Sequence, residues 1–187
     1  GAIFSFLVGY IVAAKLLFAI PLILGAFSMF LLAKEIFGKA PAILAAVLFS
    51  FAPYRALDIY VRGAVAESFA MAVIPLVFYF ALKLIKLKNV KYLIGLSVSL
   101  AIFLLSHNIM TLLFLPPLLL FVVYQLALEK WRNLSSVALG LILGIGLSAF
   151  FIFPAYLEKN LVQIENLIRL DLDFRAHFVT INQLFFS

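Results

Sequence analysis

"YLIGLSVSLAIFLLSHNIMTLLFLPPLLLFVVYQLAL", residues 92–128, runs for 37 residues without an Asp, Glu, Lys or Arg. As a single helix at 1.5 Å per residue it would be about 55 Å long, nearly twice the thickness of the hydrocarbon layer of a bilayer. The segment must therefore turn back on itself. Two breakpoints compete, "SHN" at 106–108 and the pair Pro116-Pro117. Breaking at the prolines leaves 118–128 as a second helix too short to cross, whereas breaking at His107-Asn108 leaves two segments that can each span. The prolines then sit inside a helix as a kink, tolerated in membranes where neighbours satisfy the freed carbonyls.

The rest of the chain reads the same way. Of 187 residues, 67% are hydrophobic and 12% charged, against roughly 45–50% and about 25% in soluble domains. Such an excess needs lipid as solvent. A transmembrane β-barrel would show segments of about ten residues alternating apolar and polar, and none does. Using the remaining charges as punctuation gives an all-α polytopic helix bundle of about six spans, near 13–33, 38–54, 67–85, 91–106, 109–128 and 133–155. Residues 1–14 are either the outer end of an overlong first helix or a separate interfacial piece. Residues 1–157 form the transmembrane domain and 158–187 the start of an extracytoplasmic region. The chain starts at Gly1 and stops within "QLFFS", which reads as a piece of a longer protein.

Charge separates the loops. "KEIFGK", "KLIKLKNVK" and "EKWRN" hold eight of the fourteen basic residues, so the positive-inside rule makes the loops at 34–40, 83–91 and 129–133 cytoplasmic. The opposite side holds six of the eight acids. The net charge of +6 therefore follows topology, and nucleic-acid binding is not expected. With no cysteine, disulfides and thiolate chemistry are excluded.

The outer stretch "YRALDIYVRGAVAES", residues 54–68, concentrates polar chemistry. On a helix at the outer surface, Arg55, Asp58 and Arg62 share one face, with Asp58 between two guanidiniums. Glu67 stands at the entrance of the next span, where an ionised carboxylate needs a partner. Gly63 permits a break after Arg62, and Tyr54 and Tyr60 suit the headgroup level. One reading is a phosphate seat, since guanidinium forks bind such oxyanions bidentately. The other is an interfacial helix whose arginines snorkel while Asp58 neutralises them. His107 and Asn108 form an outer turn that either joins this site, as acid-base or phosphate-binding groups, or only connects two helices, with Asn suited to left-handed geometry. Lys15 reads as an outer-interface anchor. Gly140, Gly144 and Ser148 form a small-residue stripe for close helix packing. Asp171, Asp173, Arg175 and His177 could approach from above, although solvated loop charge is the commoner reading. No cofactor is expected, and the two distant histidines supply no pattern for a divalent metal.

The run from Gly9 through Ser68, with its Pro53-Tyr54-Arg55, Tyr60, Arg62, Gly63 and Glu67, resembles the bacterial and archaeal 6-pyruvoyl-tetrahydropterin-synthase-related membrane proteins, placed in the glycosyltransferase C (GT-C) superfamily. "SHN", "GLSAFFIFPAYLEKN" and "DFRAHFVTINQLF" carry the resemblance through nearly the whole chain. It implies a plasma-membrane enzyme that transfers sugar from a polyprenyl-phosphate donor at the outer face, with inversion. Such enzymes place an essential carboxylate in an outer loop between their first two spans. Here that loop would lie upstream of Gly1, so the base is expected outside this chain, with Glu67 and His107 the candidates within it. Arg55, Arg62 and Asn108 would bind the phosphate, supported by Asp58, Tyr54, Tyr60 and Gly63. A transporter or lipid flippase is the rival class, although Pro21, Pro75 and Pro116-Pro117 interrupt spans with no charged residue beside them at mid-depth. A non-catalytic assembly protein is the third.

Overall fold

A chain this apolar must satisfy its backbone internally, and every regular element among the described residues is helical. A computed structural model describes residues 9–158 and residue 161. The elements are α1 (Tyr10–Phe37), α2 (Lys39–Ser50), α3 (Pro53–Ala56), a π-helix (Leu57–Arg62), α4 (Val65–Leu87), α5 (Val90–Ser106), α6 (Asn108–Leu128) and α7 (Leu134–Leu157). The chain divides into two units, Gly1–Ala149 and Phe150–Ser187. In the second, the described residues comprise the last turns of α7, Glu158 and Leu161. Asp171, Asp173, Arg175 and His177 lie outside the described residues.

Among the described residues five elements are long and apolar enough to cross a membrane, and α5, at 17 residues, is shorter. The helices therefore define an integral membrane protein, with five to six spans among the described residues. Residues 92–128 do break at His107, the one extended residue (φ −161°, ψ 117°) between α5 and α6. Pro116 and Pro117 lie inside α6. The His107 ring closes the turn, its Nδ1 accepting from the Met110 amide at 3.3 Å, which caps one of the orphan donors at the helix start. Asn108 is the first helical residue, so the turn does not use the left-handed geometry open to it.

One boundary left open by the sequence is answered, and the second span differs from the sequence reading. Residues 10–14 belong to α1, whose 28 residues make a helix of about 42 Å. Lys15 is exposed near its start. The second span is not one helix over 38–54. α2 has 12 residues, about 18 Å, and Ala52, held extended at ψ 134° by the proline that follows it, interrupts the rod. Helix resumes at Pro53 and continues to Arg62, so the polar motif completes this second membrane-length element. Between α1 and α2, Gly38 at φ 87° makes a one-residue reversal that L side chains resist.

α4 is the centre. Twelve of its residues are buried, with α1, α5 and α6 packed around it and α2 packed on α1. Between apolar helices in lipid, close approach and cross-helix hydrogen bonds supply the cohesion. Ser28 of α1 donates to the Ala72 carbonyl of α4 at 2.7 Å. Ser97 of α5 donates to the Gly140 carbonyl of α7 at 3.0 Å. The small-residue stripe makes that second approach possible, because a Cβ at Gly144 would lie 2.9 Å from Leu100 Cβ and 3.0 Å from the Ser97 carbonyl.

The three basic loops meet at one end of the bundle. Glu35 receives Lys83 at 3.1 Å and Lys86 at 3.4 Å. From the α6–α7 loop, Asn133 donates to the Ile85 carbonyl at 2.6 Å and Arg132 to that of Lys86 at 3.2 Å. The start of α4, with the polar motif, occupies the opposite end.

Candidate functional site

The motif is shaped by its helix type. From Leu57 to Arg62 the backbone is π-helical, a wider turn that often marks functional positions. It ends at Gly63, left-handed at φ 61° and ψ 29°, with the Ala64 amide reaching back to the Asp58 carbonyl at 3.0 Å. One face turns inward: Arg55 and Asp58 are fully buried. The other turns out, with Tyr60 82% exposed.

Arg62 is the hub. Its Nη1 donates to Tyr54 Oη at 3.0 Å and to Asp58 Oδ1 at 3.3 Å, and pairs with Glu67 Oε2 at 3.0 Å. The Tyr54 hydroxyl closes the ring by donating to Glu67 Oε1. Glu67 is thus satisfied at both oxygens although it is buried at the mouth of α4, where an unpaired carboxylate would be costly. The Arg62 side chain remains 46% exposed, and each of its contacts with described residues runs through Nη1. No described residue bonds its Nε or Nη2.

Arg55 sits elsewhere than the simple stacked face suggests. It makes no ion pair with Asp58 among the described residues. Its guanidinium lies inside the bundle, 5.0 Å from the Phe49 ring centroid, with Nη2 donating to the Pro21 carbonyl at 3.1 Å. Gly25 makes the room, since a Cβ there would be 2.8 Å from Arg55 Nη1. Arg55 Nε and Nη1, Asp58 Oδ2 and Ser68 Oγ are buried without hydrogen-bond partners among the described residues. Arg55 and Asp58 compensate each other through space, and His107 lies within electrostatic reach of both Asp58 and Glu67. The structure therefore brings together Tyr54, Asp58, Arg62 and Glu67 in contact, with His107 nearby and Arg55 beneath. It does not bring Asn108 or Tyr60 into the hydrogen-bonded ring.

Gly25, Pro21, Phe49 and Ser68 escape sequence reasoning. The available signal was a mid-helix glycine four residues after a proline, which weakens a helix unless something packs there. Among the described residues no three of His, Cys, Asp or Glu converge as a metal site.

Beside the ring opens an apolar cavity of about 660 Å³, lined by Leu17, Ile20, Pro21, Phe69, Leu105 and Ser106 among others. Its residues Val65 and Ala66 immediately precede Glu67, and Ser106 immediately precedes His107.

A bundle of membrane-length helices with a buried, charge-compensated cluster at one end defines a polytopic α-helical membrane protein. The chain belongs to the 6-pyruvoyl-tetrahydropterin synthase related domain family of membrane proteins, whose family model matches residues 1–169. A relative described only as an uncharacterized protein, from Lactococcus lactis subsp. cremoris (strain MG1363), is 28% identical over 148 residues. That match covers 75% of this chain and 24% of the relative, so the chain spans about a quarter of the relative's length. No solved structure matches.

Proposed function

We propose that this chain forms the lipid-phosphate side of a GT-C-type glycosyltransferase site that takes a polyprenyl-phosphate-linked sugar at the outer face of a bacterial or archaeal plasma membrane. The orientation rests on the basic loops, which the positive-inside rule assigns to the cytoplasm. The observation that carries the reading is Arg62. Three described neighbours hold it by one nitrogen while its side chain stays 46% exposed, and an accessible guanidinium fork is the group that binds phosphate bidentately.

In this reading Arg62 stabilises the departing phosphate, electrostatic work at the point where charge develops. Tyr54, Asp58 and Glu67 fix its direction. Arg55, beneath Asp58, offsets the carboxylate charge from below. Glu67 has both oxygens engaged and Asp58 is sealed from the surface, so neither is placed to deprotonate an acceptor. His107 and Asn108 border the site across the α5–α6 turn.

The test is sugar transfer by the full-length protein supplied with polyprenyl-phosphate sugars. Arg62→Ala should lower kcat at least about a hundredfold, the usual scale for losing one oxyanion donor, and Glu67→Gln should also slow transfer. Full rates in both variants would sink the assignment.

A further inference from the structure

The end of the bundle opposite the polar motif concentrates charge of one sign. Lys34, Lys39, Lys88, Lys91, Lys130 and Arg132 are exposed there, whereas Glu35 is occupied by Lys83 and Lys86. Lys39, Lys88, Lys91 and Lys130 have no side-chain acceptor among the described residues. Topology alone would let these bases lie anywhere along three separate loops. Instead Glu35 joins the end of α1 to the end of α4, and Asn133 and Arg132 tie the α6–α7 loop to the Ile85 and Lys86 carbonyls. The loops are thus drawn onto the last turns of α4, and cations so gathered repel one another unless an anion is near. The backbone points the same way. Among the described residues the non-glycine positions with positive φ are Lys88, Lys130 and Trp131, at 43°, 52° and 61°, and all three lie at this end. That geometry is uncommon outside glycine and an outlier for a bulky residue. Gly38 shows, at the same end, that a reversal here can use glycine. At the other three positions a side chain is kept where the turn alone favours none. Two are cations, and the third is the chain's single tryptophan, 49% exposed, the residue type that settles at the headgroup level.

We propose that this end is a binding surface for anionic phospholipid of the cytoplasmic leaflet, with Lys88, Lys91 and Lys130 meeting the headgroup phosphates and Trp131 anchoring beside them. Charge complementarity selects an anion, since basic clusters flanking membrane helices on the cytoplasmic side attract acidic headgroups. The apolar surface next to the bases selects a lipid over an acidic protein. Phe37, Leu87, Val90 and Leu128 are exposed, and each stands within two residues of Lys39, Lys88, Lys91 or Lys130. A phospholipid covers both kinds of surface, its headgroup on the ammonium groups and its acyl chains on the apolar side chains. An acidic water-soluble segment would satisfy the first and leave the second bare. The site lies at the other end of the bundle from Arg62, so it stands independently of the sugar-transfer reading.

The test compares lipids in contact with the full-length protein, in phosphatidylcholine nanodiscs carrying a trace of spin-labelled phosphatidylglycerol or spin-labelled phosphatidylcholine. The parent should hold phosphatidylglycerol about fivefold more strongly, the scale of one cation at an anionic surface, and the preference should shrink as NaCl is raised. The triple variant Lys88→Gln, Lys91→Gln, Lys130→Gln should lose most of it, whereas Lys15→Gln, near the far end of α1, should keep it. A double variant, Lys88→Gly with Lys130→Gly, separates lipid binding from a structural role. Glycine relieves the left-handed backbone at both positions, so stability to unfolding in micelles should hold or rise while the preference for phosphatidylglycerol falls. Equal binding of the two lipids by the parent, or a preference that survives the triple variant, overturns the proposal. So does a photoreactive group attached at Lys130→Cys that captures polypeptide of the intact protein in place of lipid.

Discussion

Replacing Gly25 by alanine isolates the buried arginine. In an exposed helix the change is stabilising by about 0.5–1 kcal/mol, because glycine has more backbone freedom to lose. Here the new Cβ would fall 2.8 Å from Arg55 Nη1, 3.2 Å from Nη2 and 3.3 Å from Cζ. The guanidinium is flanked by Phe49 and bonded to the Pro21 carbonyl, and Arg55 has no exposed surface, so it cannot step aside freely. Overpacking costs about 1–3 kcal/mol, and breaking a charged hydrogen bond about 1.5–3 kcal/mol more. Set against the helix gain, Gly25→Ala should destabilise by about 1.5–5.5 kcal/mol. The assay is reversible denaturant unfolding in micelles, followed by circular dichroism. Arg55→Met should relieve the clash, so the double variant should be less destabilised than the sum of the singles, a coupling expected for groups in contact. A neutral or stabilising Gly25→Ala, or strict additivity with Arg55→Met, refutes the placement of the guanidinium over Gly25.

Other perturbations probe the remaining contacts. Tyr54→Phe removes the hydroxyl that joins Arg62 to Glu67 and should reduce transferase kcat more than KM, as loss of positioning does; an unchanged kcat would show that the ring does not orient Arg62. His107→Ala removes the side-chain acceptor at the start of α6 and should cost about 0.5–2 kcal/mol of stability, read in the same unfolding assay, with His107→Asn restoring most of it. Gly144→Leu should separate α5 from α7, since even a Cβ meets Leu100 at 2.9 Å; a disulfide pair engineered across this interface should then form more slowly than in the parent.

Much of the fold was legible because lipid imposes two quantities that sequence carries directly: the length of an apolar run and the position of charge. The 37 charge-free residues had to break, and only the break at His107 left two usable helices. The stripe of Gly140, Gly144 and Ser148 was legible too, since helical spacing puts small residues on one face, and that face is the buried one. The interior of the motif was not legible. Spacing places Arg55, Asp58 and Arg62 on a common face, but it is silent on whether that face looks toward lipid headgroups or into the bundle. The answer depends on Gly25 of α1, some 30 residues earlier, and on a π-helical turn that no local preference announces. Neither could the apolar cavity beside the ring be read in advance, because its walls come from three helices that meet only in the folded chain.

The two arginines, three and four residues either side of Asp58, divide their work because the backbone does. Pro53 restarts the helix with Arg55 pointing inward over Gly25, where the guanidinium can only compensate charge. The π-turn and the left-handed Gly63 then stop the helix with Arg62 at the boundary, half-exposed. A guanidinium offered to a ligand must not fall into the nearest carboxylates, and with Asp58 and Glu67 both at hand that collapse is the main hazard. Tyr54 limits it by donating to Glu67 and accepting from Arg62, so that a single nitrogen carries the contacts with the described residues. Should Arg62→Lys be made, one compact ammonium would replace the planar fork, pairing with Asp58 and Glu67 but presenting no second edge. That variant should retain stability near the parent's while transferring sugar as slowly as Arg62→Ala does, and parent-like transfer would mean that the guanidinium fork is not what meets the phosphate.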